Sequence, residues 1–464
     1  MLEKLKKKYI GDKAFYKRYI RLAVPMIIQS AITNFVSFLD NIMVGRLGTE
    51  EMSGVAIINQ FVFVFNIATF GVISAAGIFG AQYYGKGDHK GHMYTFRFRM
   101  LSALLFGLAA VLLLLFAGDT LVSFYLTVSP TEADIDIVKT AASAREYLMI
   151  VLIGLIPFAI TQAYASVVKE TGQTFVPMVA GMASVIVNAI LDWLLIFGIG
   201  PFPELGVSGA AIATVIARFI ELGIVVIWSH THMAQNKFLV GAYRGFTIPW
   251  PVFKQICIKG FPLMLNELFW AAGITMLNQT YSMRGVDVVA AMNITATISN
   301  LFNIVFIQLG ICISIVVGQY LGAGKFEEAK DASTKMIFFT VACCIGTATL
   351  MLITGRFFPA IYNTQDGIKA LASTFIYIQA LVMPFCSFSH ATYFTLRSGG
   401  KTLITFVFDS VFTWMIMVTL AEVLVRFTAL DIVTIYFAVT FTELIKNILG
   451  YIMLKSGTWV NRIV

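Results

Sequence analysis

Charge is what this sequence has least of. Asp, Glu, Lys and Arg make up 12% of its 464 residues, about half the share carried by an ordinary soluble domain. So little charge cannot cover a water-facing surface of this size, which excludes a soluble enzyme. Cysteine is equally sparse: Cys257, Cys312, Cys343, Cys344 and Cys386 fit the spacing of neither a zinc site nor a disulfide framework, and read as small core residues. The five histidines form no H-E-x-x-H motif, no G-x-S-x-G elbow is present, and His390 alone lies deep in an apolar run. That argues against a membrane-embedded hydrolase or acyltransferase. No selectivity-filter motif points to a channel. The net charge of +8 is dispersed over short segments and never forms a stripe with interleaved aromatics, so no nucleic-acid partner is expected. The basic run Lys4, Lys6, Lys7, Lys8 leads into an apolar stretch too long for a signal-peptide core and containing Asp40, which reads as a first span rather than a cleaved leader.

What the chain does have is apolar length. Hydrophobic residues make up 58% and mean hydropathy is +0.82. Each crossing of a bilayer takes about 20 apolar residues, and twelve such runs follow one another from 19–44 to 430–454. The expected fold is an all-α integral membrane protein of twelve transmembrane helices. With the N-terminus on the cytoplasmic side, 23 Lys and Arg fall on inner segments and 7 on outer ones. The positive-inside rule therefore puts both termini in the cytoplasm, in a multi-pass protein of the cytoplasmic membrane.

The two halves resemble each other. At an offset of 237 residues Pro25 matches Pro262, Gly48 matches Gly285, Asn66 matches Asn303, and Gln82-Tyr83-x-Gly85-x-Gly87 matches Gln319-Tyr320-x-Gly322-x-Gly324. Further on the offset drifts to 228, where Lys169-x-x-Gly172-x-Thr174 matches Arg397-x-x-Gly400-x-Thr402. The expected organisation is an N-terminal six-helix bundle (1–229), a basic cytoplasmic linker (230–255) and a C-terminal six-helix bundle (256–464). Six is even, so both bundles enter the membrane in the same sense, as parallel repeats about a pseudo-two-fold axis along the membrane normal. Two such bundles rocking about a central cleft would make a carrier.

Ionisable groups within the spans are costly and usually functional. Asp40, Asp192, Glu221, Glu267, Asp409, Glu422 and Glu443 stand against Arg218 and Lys446. That balance favours a cationic, amphipathic small molecule over an anionic one. Arg218 with Glu221 and Glu443 with Lys446 are each three residues apart and are expected to pair on one helix face; Glu422, near an outer end, is expected to snorkel. By helical rise, Asp40 lies about 6 Å, and Asp192 and Thr214 about 10 Å, below the outer ends of spans 1, 5 and 6. Asn188 lies one turn deeper than Asp192 on the same face. Two carboxylates, an amide and a hydroxyl at one level make either a site for Na⁺ or a shared proton, or a hydrogen-bond network holding the three spans together.

At these residues the sequence resembles the multidrug and toxic compound extrusion (MATE) transporters. The likeness runs through Leu22-Ala23-Val24-Pro25, Leu39-Asp40-Asn41-Ile42-Met43-Val44-Gly45-Arg46-Leu47-Gly48, Asn188-x-x-Leu191-Asp192, Leu205-Gly206-Val207-Ser208-Gly209, and Thr395-Leu396-Arg397-Ser398-Gly399-Gly400. The resemblance implies a secondary active antiporter that exports drugs, metabolites or organic cations against inward H⁺ or Na⁺. It needs no cofactor beyond the coupling ion, it works as a monomer in membrane lipid, and it is not an enzyme. It also implies a cation site at Asp40, Asn188, Asp192 and Thr214, with Na⁺ as the one metal ion expected. Some members add a span 7 Glu and a span 10 Asp; here Glu267 is available but span 10 offers Cys386 and His390 instead. Glu267 and Asp409 remain as candidate substrate-facing acids. The repeat puts Leu277 opposite Asp40, Leu420 opposite Asp192 and Ile416 opposite Asn188, so a coupling site is expected in the first half alone. The alternative is a lipid-linked oligosaccharide flippase of the same superfamily, whose anionic substrate would call for basic residues facing the cleft.

Overall fold

The computed structural model describes residues 2–127 and 136–464. Among these, twelve helices are long and apolar enough to cross a membrane. A short helix, Leu2–Tyr9, precedes them. We number the twelve α1 (Lys13–Gly45), α2 (Thr49–Lys86), α3 (His89–Thr127), α4 (Ile137–Glu170), α5 (Phe175–Phe197), α6 (Gly206–Thr231), α7 (Trp250–Ser282), α8 (Val286–Gly322), α9 (Phe326–Thr354) and α10 (Asp366–Ser398), then α11 (Thr402–Phe427) and α12 (Ile432–Lys455). Helix is the economical solution here because each segment satisfies its own backbone polar groups where lipid offers no partner.

The repeat seen in the sequence is written in helix ends and helix breaks. Pro25 and Pro262 both lie inside their helices, α1 and α7, where each removes one backbone donor and loosens the turn before it. Gly87 and Gly324 follow α2 and α8 with φ of +77° and +74°, and Gly172 and Gly400 follow α4 and α10 with φ of +87° and +74°. These are left-handed positions that terminate a helix and that favour glycine.

Packing divides the chain into two compact units, one of residues 28–80 and 89–253 and the other of residues 1–27, 81–88 and 254–464. We call them the N-terminal and C-terminal units. In the N-terminal unit, Ile58, Phe96, Tyr147, Leu155, Val167 and Ile196 form one buried cluster. It also takes in Phe238, Leu239 and Ala242 from the stretch between the halves, and Arg97 on α3 donates to the carbonyls of Gly241, Ala242 and Thr247 at 2.8–2.9 Å. The C-terminal unit buries Tyr19 and Met26 of α1 against Cys312, Ile313 and Val317 of α8. Within this unit the two copies of the Gln-Tyr-x-Gly motif cross. A Cβ added to Gly85 would stand 2.0 Å from the Gln319 carbonyl oxygen, and one added to Gly322 would stand 1.9 Å from that of Gln82. The side chain of Gln82 closes the crossing by donating to Ser398 O at 2.8 Å and accepting from the Ile463 amide at 2.8 Å.

Of the cysteines, Cys312 and Cys344 are buried, Cys343 and Cys386 half-buried, and Cys257 exposed. The expectation of small core residues therefore fails at Cys257, which lies near the start of α7 on an outward face.

Candidate functional site

The N-terminal unit draws its polar residues together from five helices. Asn188 and Asp192 are one turn apart on α5 and both point inward, 8% and 2% exposed. Gly209 makes this possible. A Cβ there would meet Leu195 C and O at 2.7 Å, so α5 and α6 lie backbone to backbone at the level of the site, the close approach that small residues permit within membranes. Asp40 comes from the C-terminal part of α1, and its carboxyl is close enough to that of Asp192 for a hydrogen bond. Asn188 stands beside Asp192. Thr214 on α6 lies near the Tyr147 hydroxyl of α4, which is also within electrostatic reach of Asp40, Asp192 and Arg218. Tyr147 in turn donates to Asn59 Oδ1 at 3.4 Å.

Of the four residues grouped by depth, Asp40, Asn188 and Asp192 are neighbours, and Thr214 is linked to them through Tyr147. Asp40 Oδ1, Asp192 Oδ1 and Asn188 Nδ2 are all buried without a hydrogen-bond partner. Buried polar atoms are rarely left unmatched, and two carboxyls that meet need a proton or a cation between them. Nothing in the sequence marked Tyr147, since an aromatic in an apolar run reads as core.

Arg218 behaves differently from the expectation. It forms no ion pair with Glu221 within 4 Å. Its guanidinium lies over the Phe158 ring at 5.4 Å, Nη1 is buried without a hydrogen-bond partner, and the side chain runs against Gly154, where a Cβ would meet its Cδ at 2.9 Å. Three residues on a helix face can pair, but here the α4 surface holds Arg218 along another path. Glu422 does not snorkel free either: it accepts from Thr280 at 2.6 Å and pairs with Arg426.

A second polar cluster lies in the C-terminal unit. Lys446 Nζ is 2.7 Å from Asp409 Oδ1 and 3.9 Å from Glu443 Oε1, so the expected Glu443 pair is present but is the longer of two. Asn266 donates to Asp409 Oδ2 at 3.0 Å and to the Tyr393 hydroxyl at 3.3 Å. Tyr393 donates to Glu267 at 3.5 Å, and Arg397 stands 4.0 Å from Glu267. Glu267 and Asp409 are therefore neighbours through Asn266 and Tyr393, each already provided with a cation. Asp409, Glu443 and Lys446 line a cavity of about 370 Å³ with Trp270, Phe306 and Tyr436.

Arg397 and Arg99 correct the charge balance read from mid-span positions. Arg397, at the end of α10, is 3% exposed and Arg99, ten residues into α3, is fully buried, although both stand at edges of apolar runs and read as loop flanks. Arg99 pairs with Glu170 at 2.5 Å, and Glu170 also meets His92 at 3.2 Å. The only sequence signal was the interruption of an apolar run by Phe96-Arg97-Phe98-Arg99. Among the described residues no cluster of three or more His, Cys, Asp or Glu could hold a metal ion.

Comparison with known proteins follows the same outline. The family model MatE matches residues 25–194 and 262–421, one copy in each half. The chain is 23% identical over 450 residues to a probable multidrug resistance protein NorM of Thermotoga maritima, covering 97% of this chain and 94% of that one. It is 25% identical over 411 residues to a probable NorM of Listeria monocytogenes, covering 87% and 86%. Among solved structures it is similar to an outward-facing multidrug resistance MATE transporter, with a TM-score of 0.85, 18% identity and 96% of both chains covered. A transporter of the MOP superfamily from Pyrococcus furiosus, described as having a binding pocket of reversed polarity, gives the same values.

Proposed function

Because the chain belongs to the MATE family, whose model matches both of its halves, we propose that it is a secondary active antiporter. In this reading it expels amphipathic organic cations, drugs or metabolites in exchange for H⁺ or Na⁺, and Asp40, Asn188, Asp192 and Thr214 hold the coupling ion. The chain is a multi-pass membrane transporter and not an enzyme. The multidrug resistance names of its relatives support extrusion over transfer of a lipid-linked oligosaccharide. The Lys and Arg asymmetry supports both termini in the cytoplasm, and no cofactor beyond the ion is required.

The observation that carries the reading is the meeting of Asp40 and Asp192, each with a buried oxygen left unmatched. A proton or Na⁺ bound between them offsets two like charges held in low dielectric. Its release leaves those charges facing each other without the water that would screen them. A site whose energy depends so strongly on occupancy can shift a conformational equilibrium, which is what an ion must do to drive a carrier. The helix sequence repeats once in each half, and alternating access by movement of the two repeats fits that duplication.

The test is gradient-driven efflux from proteoliposomes under a pH gradient and a Na⁺ gradient imposed separately. Asp40→Asn keeps the shape and removes the charge, and is expected to abolish the response to whichever gradient drives the native protein. Full gradient-driven efflux by Asp40→Asn sinks the proposal.

A further inference from the structure

The cavity of the C-terminal unit has a charged end that ion coupling at Asp40 and Asp192 does not use. Two carboxylates, Asp409 and Glu443, share a single ammonium, Lys446, and the three side chains are 14%, 9% and 8% exposed. Asp409 is fully provided for, by Lys446 at 2.7 Å and by Asn266 at 3.0 Å. Glu443 has the 3.9 Å contact with Lys446, longer than a hydrogen bond. The neighbouring pair of Glu267 and Arg397 adds no net charge, and the His390 ring completes the polar wall. This end of the cavity is therefore one positive charge short.

Lys446 also stands where a cationic ligand would choose to stand. Its ammonium lies 5.4 Å from the Phe408 ring centroid and 5.9 Å from that of Phe412, and Trp270, Phe306 and Tyr436 line the space beyond. Carboxylate and aromatic faces together are the surroundings that attract an organic ammonium. The volume and the aromatic lining suit such a group better than a bare Na⁺, which asks for a close shell of oxygens. Asp409 itself lies in the first of two π-helical stretches, Val407–Val411 and Thr413–Val418. Such widened turns are uncommon and concentrate at functional positions.

We propose that Lys446 is a tethered internal cation, occupying at Asp409 the position that the charged group of an organic monocation would take, and that such a ligand binds by displacing it onto Glu443. The displacement is short. Glu443 lies one turn away on the same helix, and a movement of about 1 Å brings Nζ within hydrogen-bond range of it. Lys446 then tunes specificity, since only a cation that outcompetes an ammonium already in place can enter, and an anion meets a surplus of carboxylate. The inference rests on the reading of the chain as an exporter of amphipathic cations, but it concerns binding and not coupling.

The experiment is a titration of the purified full chain in detergent with ethidium, a permanent monocation, read by fluorescence anisotropy without any ion gradient, so that it is independent of Asp40. Lys446→Met keeps the volume and removes the competitor. It is expected to tighten ethidium binding by about tenfold or more, as removal of a competing state does when the competent state is the minor one. Glu443→Gln deprives the displaced ammonium of its destination and is expected to weaken binding by a similar factor. The double variant Lys446→Met, Glu443→Gln restores one surplus carboxylate and should return towards the native affinity. Binding no tighter in a folded Lys446→Met overturns the proposal. If that variant does not fold, Glu443→Gln decides: affinity unchanged or improved overturns it. Replacing K⁺ by Na⁺ at equal ionic strength should leave ethidium binding unaltered, and competition specific to Na⁺ overturns the assignment to an organic cation.

Discussion

Substitution of Gly209 by alanine tests whether helix contact positions the proposed ion site. The added Cβ would lie 2.7 Å from Leu195 C and O and 3.0 Å from Ile196 N. These are backbone atoms, so no side chain can rotate away, and reaching ordinary contact near 3.4 Å means separating α5 from α6 by about 0.7 Å or more. Alanine gains about 1 kcal/mol of helix propensity over glycine, whereas overpacking costs about 1–3 kcal/mol. With only backbone to yield, the upper end applies and the net loss is about 1–2 kcal/mol. The displacement falls on the site, because Asp192 lies one turn before Leu195 and Thr214 lies on the helix that must move. Gly223 on the same helix is the control: a Cβ there meets nothing within 4 Å, so Gly223→Ala should be neutral or slightly stabilising. The assays are unfolding in mixed micelles and gradient-driven efflux from proteoliposomes. Gly209→Ala should lose both stability and ion dependence. Equal stability and equal coupling in the two variants would refute the argument.

Three further outcomes are expected. In a double-mutant cycle on Asp40→Asn and Asp192→Asn, either single change should remove most ion dependence and the second should add little, as for groups that hold one ion; additive flux losses with matching stability losses would mark separate structural contacts. Glu170→Gln leaves Arg99 buried without its counter-charge, and unfolding should show a loss of about 3 kcal/mol, the lower end for a broken buried pair because the amide still accepts one hydrogen bond. Gly85→Ala and Gly322→Ala should each destabilise by more than Gly346→Ala, at which a Cβ meets nothing within 4 Å, and unfolding in detergent measures the difference.

Fold was legible because its determinants are local. Run length gave the twelve helices, and the paired glycines gave their ends, since a left-handed residue after a helix is a demand that few side chains meet. The four residues at Asp40, Asn188, Asp192 and Thr214 could be grouped because helical rise turns position into depth. What depth cannot give is azimuth between helices. Arg218 and Glu221 had the spacing of a pair, yet the approach of α4 at Gly154 and Phe158 diverts the arginine. Tyr147 escaped notice for the same reason, as its role depends on which neighbours α4 faces. Arg99 and Arg397 escaped because a basic residue at the edge of an apolar run normally reaches water. Here both are buried, and Glu170 and Glu267 stand beside them.

Arg97 bears on how the two repeats are joined. Its guanidinium holds three carbonyls of the segment that links them, and that segment contributes Phe238 and Leu239 to the buried cluster of the N-terminal unit. By packing, the segment thus belongs to the N-terminal unit. A first half produced as a separate polypeptide and cut at 229 would lose part of its own interior and strand a guanidinium in it. The same half extended through Thr247 would carry its floor with it.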